Sequence, residues 1–312
     1  MITPENDLVL SLAAPAVAGG PWFAGRAAGL FRTEDGGRTW QNAYTSLLSG
    51  QQALATTSVA LSPDFEYDRT VFAGVTGGVL RSTNGGKTWR SALFPPPEPT
   101  VVALAVSSAY PHDDTLFGGT AEDGVFISSD GGASWTSWNF GLMDMNVLCL
   151  AISPDFERDE TLFAGTTTGL FVSANGGRAW REVTLPVDLC AVLSLAISPN
   201  YARDRAVFAG TEEHGLFCSG SRPGLEWRRV GAGLSDPINA ILLEPGFPVT
   251  PEVLALHGSQ LFFSPDRGET FQPWQRPGLP DDFEVTAACT PLGFSPGVKV
   301  LVGGVGGKVL VV

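Results

Sequence analysis

A tetrapeptide that returns along the whole chain constrains the fold more than any other feature. Val71-Phe72-Ala73-Gly74 recurs as Trp22-Phe23-Ala24-Gly25, Leu116-Phe117-Gly118-Gly119, Leu162-Phe163-Ala164-Gly165 and Val207-Phe208-Ala209-Gly210. Weaker copies are Val253-Leu254-Ala255 and Val300-Leu301-Val302-Gly303. The second positions run Phe23, Phe72, Phe117, Phe163, Phe208, Leu254, Leu301, so a unit of about 46 residues fills the chain. Such a chain buries its apolar faces between neighbouring copies of one unit.

The fourth unit shows the internal order most plainly. Residues 147–153 read as a buried strand, 154–160 as a turn, 161–166 as a second strand, 169–173 as a third and 180–183 as a fourth. Asn-Gly and Asp-Gly between β-rich runs close tight hairpins, because these residues tolerate positive φ. No segment sustains a 3.6-residue period, so almost no helix is expected. The pattern predicts an all-β fold, a seven-bladed β-propeller of four-stranded antiparallel blades. The blades fall at about 8–46, 57–93, 100–138, 147–184, 192–230, 238–274 and 285–312. The last offers only three strands, 285–289, 298–303 and 308–312, so it is three-stranded or closed by a short N-terminal clasp around Ile2-Thr3. One domain, a monomeric ring, is expected.

The turn before the fourth strand carries the most specific signal. It reads Thr33-Glu34-Asp35-Gly36-Gly37-Arg38-Thr39-Trp40 in the first unit. Its copies carry Asn84 and Trp89, Asp130 and Trp135, Asn175 and Trp180, and Asp266 and Phe271. The fifth copy ends at Trp227, is one residue longer and lacks the acid. An Asp or Asn here can accept the backbone N–H groups that follow it, while the glycines allow positive φ. The indole is expected to pack between blades. This S/T-x-D/N-x-G-x-x-W pattern resembles the Asp box of the BNR-repeat propellers, a group that includes sialidases, sortilin-like receptors and photosystem II assembly factors. The acidic runs 64–68 and 155–159 look like calcium ligands. Across the units, however, only an aromatic (Phe65, Tyr110, Phe156, Tyr201) and one acid (Asp68, Asp113, Asp159, Asp204) persist, which reads as a turn former.

Charge narrows the function. Lys plus Arg is 19 against 32 Asp plus Glu, a formal charge of −13, which disfavours nucleic acid as a partner. No apolar run reaches the ~18 residues that span a bilayer. Cys149, Cys190, Cys218 and Cys289 show no metal-ligand spacing with the three histidines, so no metal or cofactor is expected. Residues 8–18 end in a small-x-small pattern, but two acids and no base precede them, which argues against a signal peptide and for a cytoplasmic protein.

The loops between second and third strands differ from unit to unit, unlike the turns. Residues the repeat does not dictate are the candidates for a site. They are Arg26, Glu122, Asp123, Glu212, Glu213, His214 and His257, joined by Tyr44 on the long first connection beside the polar run 49–52. The connection 135–146 adds Trp138, Phe140, Met143 and Met145, side chains suited to a protein partner. The resemblance to sialidases would require an arginine triad and a Tyr–Glu pair. The nearest motif, Leu30-Phe31-Arg32-Thr33, leads into the turn instead, and no triad can be assigned. The reading is therefore a non-catalytic protein-binding or assembly scaffold, a role the photosystem-factor resemblance also implies. The alternative is a carbohydrate-active enzyme, a glycoside hydrolase or lyase, using the loop carboxylates and histidines.

Overall fold

The computed structural model describes residues 6–16, 20–47, 54–220, 226–234 and 237–312. The clasp around Ile2-Thr3 and the polar run 49–52 lie outside them. The sheets form a seven-bladed β-propeller with six four-stranded antiparallel blades and a three-stranded last blade.

Blade 1 is β1 (Val9–Ala13), β2 (Trp22–Arg26), β3 (Gly29–Thr33) and β4 (Gln41–Asn42). Blade 2 is β5 (Ser58–Leu61), β6 (Val71–Val75), β7 (Gly78–Ser82) and β8 (Arg90–Leu93). Blade 3 is β9 (Val101–Val106), β10 (Leu116–Thr120), β11 (Val125–Ser128) and β12 (Thr136–Ser137). Blade 4 is β13 (Val147–Ile152), β14 (Leu162–Thr166), β15 (Leu170–Ser173) and β16 (Arg181–Val183). Blade 5 is β17 (Val192–Ile197), β18 (Val207–Thr211), β19 (Leu216–Ser219) and β20 (Trp227–Val230). Blade 6 is β21 (Ile238–Leu243), β22 (Val253–His257), β23 (Gln260–Ser264) and β24 (Gln272–Pro273). Blade 7 is β25 (Val285–Cys289), β26 (Leu301–Gly304) and β27 (Val309–Val311). The strand expected at 298–303 is observed at Leu301–Gly304, and Val300 just before it still exchanges two backbone hydrogen bonds with Val312 (2.8 and 2.9 Å).

Two compact units share these sheets, Met1–Gly118 with Ser128–Thr136 and Arg276–Val312, and Gly119–Ile127 with Ser137–Gln275. The same devices hold blades together within each. The tetrapeptide's Phe is fully buried in β2, β6, β14 and β18. In the first unit it meets the aromatic that opens the next blade's first turn edge-to-face, Phe23 against Phe65 and Phe72 against Tyr110. In the second, Phe163 meets Tyr201 and Phe208 meets Phe247 in the same way. The repeated aromatic therefore staples one blade to the next, with about 0.5–1.5 kcal/mol per pair beyond area burial. The tetrapeptide's Gly has an equally physical reason. A Cβ on Gly165 would lie 2.6 Å from the Val192 carbonyl, and one on Gly303 would lie 2.4 Å from Val9. The next blade's first strand occupies that space.

The turn after each first strand in blades 2 to 5 is a single α-helical turn, α1 (Phe65–Asp68), α2 (Tyr110–Asp113), α3 (Phe156–Asp159) and α4 (Tyr201–Asp204). The shared acid closes it. Asp68 accepts the Thr70 amide at 2.7 Å and the Ser62 hydroxyl at 2.5 Å, and Asp113, Asp159 and Asp204 accept the matching pairs. These acids are thus engaged as turn formers.

The turn before the fourth strand has one geometry in blades 1, 2, 3, 4 and 6. In blade 3 the Ser128 hydroxyl donates to Asp130 (2.8 Å) and accepts the Gly132 amide (2.8 Å), while Asp130 accepts the Ala133 and Ser134 amides (3.0 and 2.9 Å) and the Ser134 hydroxyl (2.6 Å). In blade 2 Asn84 takes the acid's place, with its own amide donating to the Thr88 hydroxyl at 2.8 Å. The second glycine is obligatory at Gly86, where φ is +79° and a Cβ would meet the Phe23 ring at 2.6 Å. The indoles of Trp89, Trp135, Trp180 and Trp227 are buried. Trp89 donates to the Ala43 carbonyl and Trp180 to the Trp138 carbonyl, both at 2.9 Å and both just past the preceding blade's fourth strand. Trp40, in the blade after the three-stranded one, is only half-buried, and its N–H has no partner among the described residues.

Candidate functional site

The loops between second and third strands have a common frame in blades 3, 4 and 5. Thr120, Thr166 and Thr211 end the second strands. Each hydroxyl donates to the carbonyl of the glycine before the third strand, Gly124 (2.8 Å), Gly169 (3.1 Å) and Gly215 (2.8 Å). In blades 3 and 5 the amides of Asp123 and His214 donate back to the threonine, at 3.0 and 3.1 Å. The frame thus belongs to the repeat, and only the displayed side chains differ. Glu122 and Glu213 hold matching exposed positions, Asp123 and His214 the next, half-buried ones, and Glu212 is exposed. His257 ends β22, half-buried, with its ring edge-on to Phe262 at 5.1 Å.

The first unit places its two candidates differently. Arg26 is committed to structure: its guanidinium pairs with Asp7 and lies 4.0 Å over the Phe31 ring. Tyr44 is not on the rim at all. It is fully buried, its hydroxyl 2.7 Å from Thr56 and its ring edge-on to Trp89 at 5.6 Å. Burial pushes its hydroxyl pKa well up. The long first connection makes Tyr44 a site candidate in the sequence, but in the structure it packs with Ala43 and Leu30 in one core cluster.

The connection from blade 3 to blade 4 is the most displayed apolar segment of the second unit. Phe140 is 80% and Met143 83% exposed, with Met145 at 37%. Yet its backbone is fixed. The Trp180 amide donates to the Phe140 carbonyl (2.8 Å), the Leu142 amide to Asn139 (3.0 Å) and the Gly124 amide to Met145 (2.9 Å). Asn139 accepts the Val125 amide and donates to the Asp123 carbonyl. Leu142 points inward and is buried.

Asp144, between the two methionines, ties this connection to the blade 4 loop. It accepts the Asn146 amide (3.0 Å), the Thr167 hydroxyl (2.8 Å), and the Thr168 amide and hydroxyl (both 2.9 Å). Burial raises a carboxyl pKa, but these donors outweigh it and hold Asp144 well below the usual carboxylate range. Sequence reading passed over Asp144. The signal was there: a lone acid inside an apolar connection, two residues before Asn146, facing the run Thr166-Thr167-Thr168. The four thiols are free, and burial raises the pKa of Cys149 and Cys218 to about 12 and of Cys289 to about 11. Among the described residues no group of three or more His, Cys, Asp or Glu is placed to hold a metal ion, and no helix is long and apolar enough to cross a membrane.

No family model matches the sequence, and no curated protein matches it. Solved structures do. The extracellular domain of a one-component system from B. thetaiotaomicron aligns at TM-score 0.71 and 17% identity over 98% of this chain and 38% of that one. A GH74 xyloglucanase from Xanthomonas campestris aligns at 0.74 and 18%, over 97% and 51%. This chain therefore spans 38% of the first of those proteins and about half of the second. YCF48 from Cyanidioschyzon merolae aligns at 0.71 and 15%, over 99% and 96%, and YCF48 bound to D1 peptide at 0.71 and 17%, over 100% and 95%. At these identities the likeness is one of fold.

Proposed function

We propose that this chain is a non-catalytic protein-binding or assembly scaffold, presenting its strand 2–3 loops and blade-to-blade connections to a protein or peptide. One observation carries the reading. The Phe140–Met143 segment holds two large apolar side chains in water on a backbone already pinned by hydrogen bonds. Exposed apolar surface costs free energy unless a partner covers it, and a prepaid backbone lowers the entropy lost on binding. The resemblance of the turns to the Asp box supports the reading, as does the end-to-end likeness to YCF48, a protein solved with a peptide bound.

An array of short immobilised peptides probed with wild type and with Phe140→Ser/Met143→Ser tests it. Peptides captured by wild type should lose about tenfold or more in affinity for the double variant, since buried aromatic anchors dominate such interfaces. Equal capture by both proteins would refute it.

A second reading draws on the likeness to the xyloglucanase and on Glu122, Asp123, Glu212 and Glu213 at the loop tips. Release of reducing ends from xyloglucan, abolished by Glu122→Gln or Glu213→Gln, would favour a carbohydrate-active enzyme.

A further inference from the structure

A groove of about 300 Å³ runs along blade 4 beside the Thr167-Thr168 loop. One wall is Thr168, Gly169 and Leu170; the other is the connection to blade 5, from Thr184 to Cys190, with Glu182 and Val183 at its base. Both walls are fixed. Asp144 holds Thr168 through three hydrogen bonds from Thr167 and Thr168. Leu185 and Cys190 are buried and anchor the far wall, and the Glu212 amide donates to the Ala191 carbonyl just beyond it.

The lining is sharply biased in chemistry. Leu170, Val183 and Leu185 lie buried beneath the groove, half-buried Val187 gives it apolar surface, and Leu189 stands 76% exposed at the lip. Among the described residues Glu182 and Asp188 are the charged residues of the groove, both exposed, and no Lys or Arg lines it. Neither carboxylate has a hydrogen-bond or ion-pair partner among the described residues, in contrast to the turn acids. The Glu182 carboxylate sits at the Gly169 side, where a Cβ on that glycine would come within 3.9 Å of it.

Apolar surface flanked by two unpaired carboxylates matches a long cationic side chain, whose methylene stem lies on hydrocarbon while its head reaches the acids. We infer that this groove receives an Arg or Lys side chain of an extended partner peptide with neighbouring apolar residues. The inference rests on the scaffold reading and names the chemistry its partner presents. Leu189 covers the stem, and Phe140 and Met143, across the Asp144-bonded loop, take the adjoining apolar side chains. The net charge of −13 draws such a segment in but does not select this groove, so the test must separate the two effects.

The probes are two fluorescent peptides of equal length, one alternating leucine with arginine and the other leucine with glutamate, followed by anisotropy against the full chain. The arginine peptide should bind wild type and the glutamate peptide should not. Glu182→Gln/Asp188→Asn should weaken the arginine peptide by about tenfold or more. Glu66→Gln/Glu157→Gln removes the same charge from the helical turns and should leave affinity within about twofold. Leu189→Ser should weaken it severalfold. Equal losses in the two double variants would reduce the effect to bulk charge and overturn the groove. So would no measurable binding of the arginine peptide to wild type. Binding that survives Glu182→Gln/Asp188→Asn but is lost in Phe140→Ser/Met143→Ser would overturn the groove while leaving the scaffold reading intact.

Discussion

At the scale of single residues, the acid turns make the stability of this chain depend on pH in a defined direction. Burial raises the Asp130 pKa, but hydrogen bonds from Ser134, Ser128 and Ala133 outweigh it, and the carboxyl falls from 3.8 to about 2. Asp35 is lowered by the Thr39 hydroxyl and amide and by Thr33, and Asp266 by Thr270 and Ser264 against a burial cost. A carboxyl whose folded pKa is depressed stabilises the fold fully above its unfolded value and loses that contribution as pH falls through the folded one. The window here is from about pH 4 down to about pH 2. Blade 2 shows that asparagine keeps the same turn without titrating, because Asn84 accepts the Lys87 and Thr88 amides and donates to the Thr88 hydroxyl. Asp130→Asn should therefore fold as wild type does at neutral pH and lose less stability between pH 4 and 2 in acid-unfolding curves. A profile superimposable on wild type would contradict the role given to Asp130.

At the scale of strands and turns, the indoles of Trp89 and Trp180 couple a blade to the one before it through hydrogen bonds to Ala43 and Trp138. Trp180 is 5% exposed and hydrogen-bonded to Trp138, whereas Trp40 is half-buried with its N–H unpaired among the described residues. Trp180→Ala should cost about 3–5 kcal/mol in denaturant unfolding, and Trp40→Ala clearly less. Equal costs would mean that the contact with the preceding blade is not what the indole supplies. These elements were legible in sequence because the repeat states each of them several times. The tetrapeptide marked the second strands, and the Asp or Asn with paired glycines marked the turns, since the backbone demands those residues wherever the unit is copied. The single helical turns α1 to α4 were read only as turns, because four residues are too short to show a helical period. Tyr44 and Asp144 were misplaced or missed for the opposite reason. Each occurs once, and whether a lone residue in a connection points to core or to solvent depends on packing that the repeat does not encode.

At the scale of the whole molecule, the repeat, the seven sheets and the end-to-end likeness to YCF48 agree on a propeller. The proposed function rests on what the repeat leaves free: the loop tips at Glu122, Glu212 and Glu213, the Phe140–Met143 display and the blade 4 groove. Folds of this kind host many activities, so the side chains on this face decide the role. The structure lets the partner-binding claim be located as well as tested. With the tightest peptide from the array bound, amide hydrogen exchange should slow in residues 138–146, 166–169 and 184–190, and stay unchanged in the helical and acid turns at the other ends of the sheets. Protection confined to those turns, with none in the three rim segments, would contradict the account.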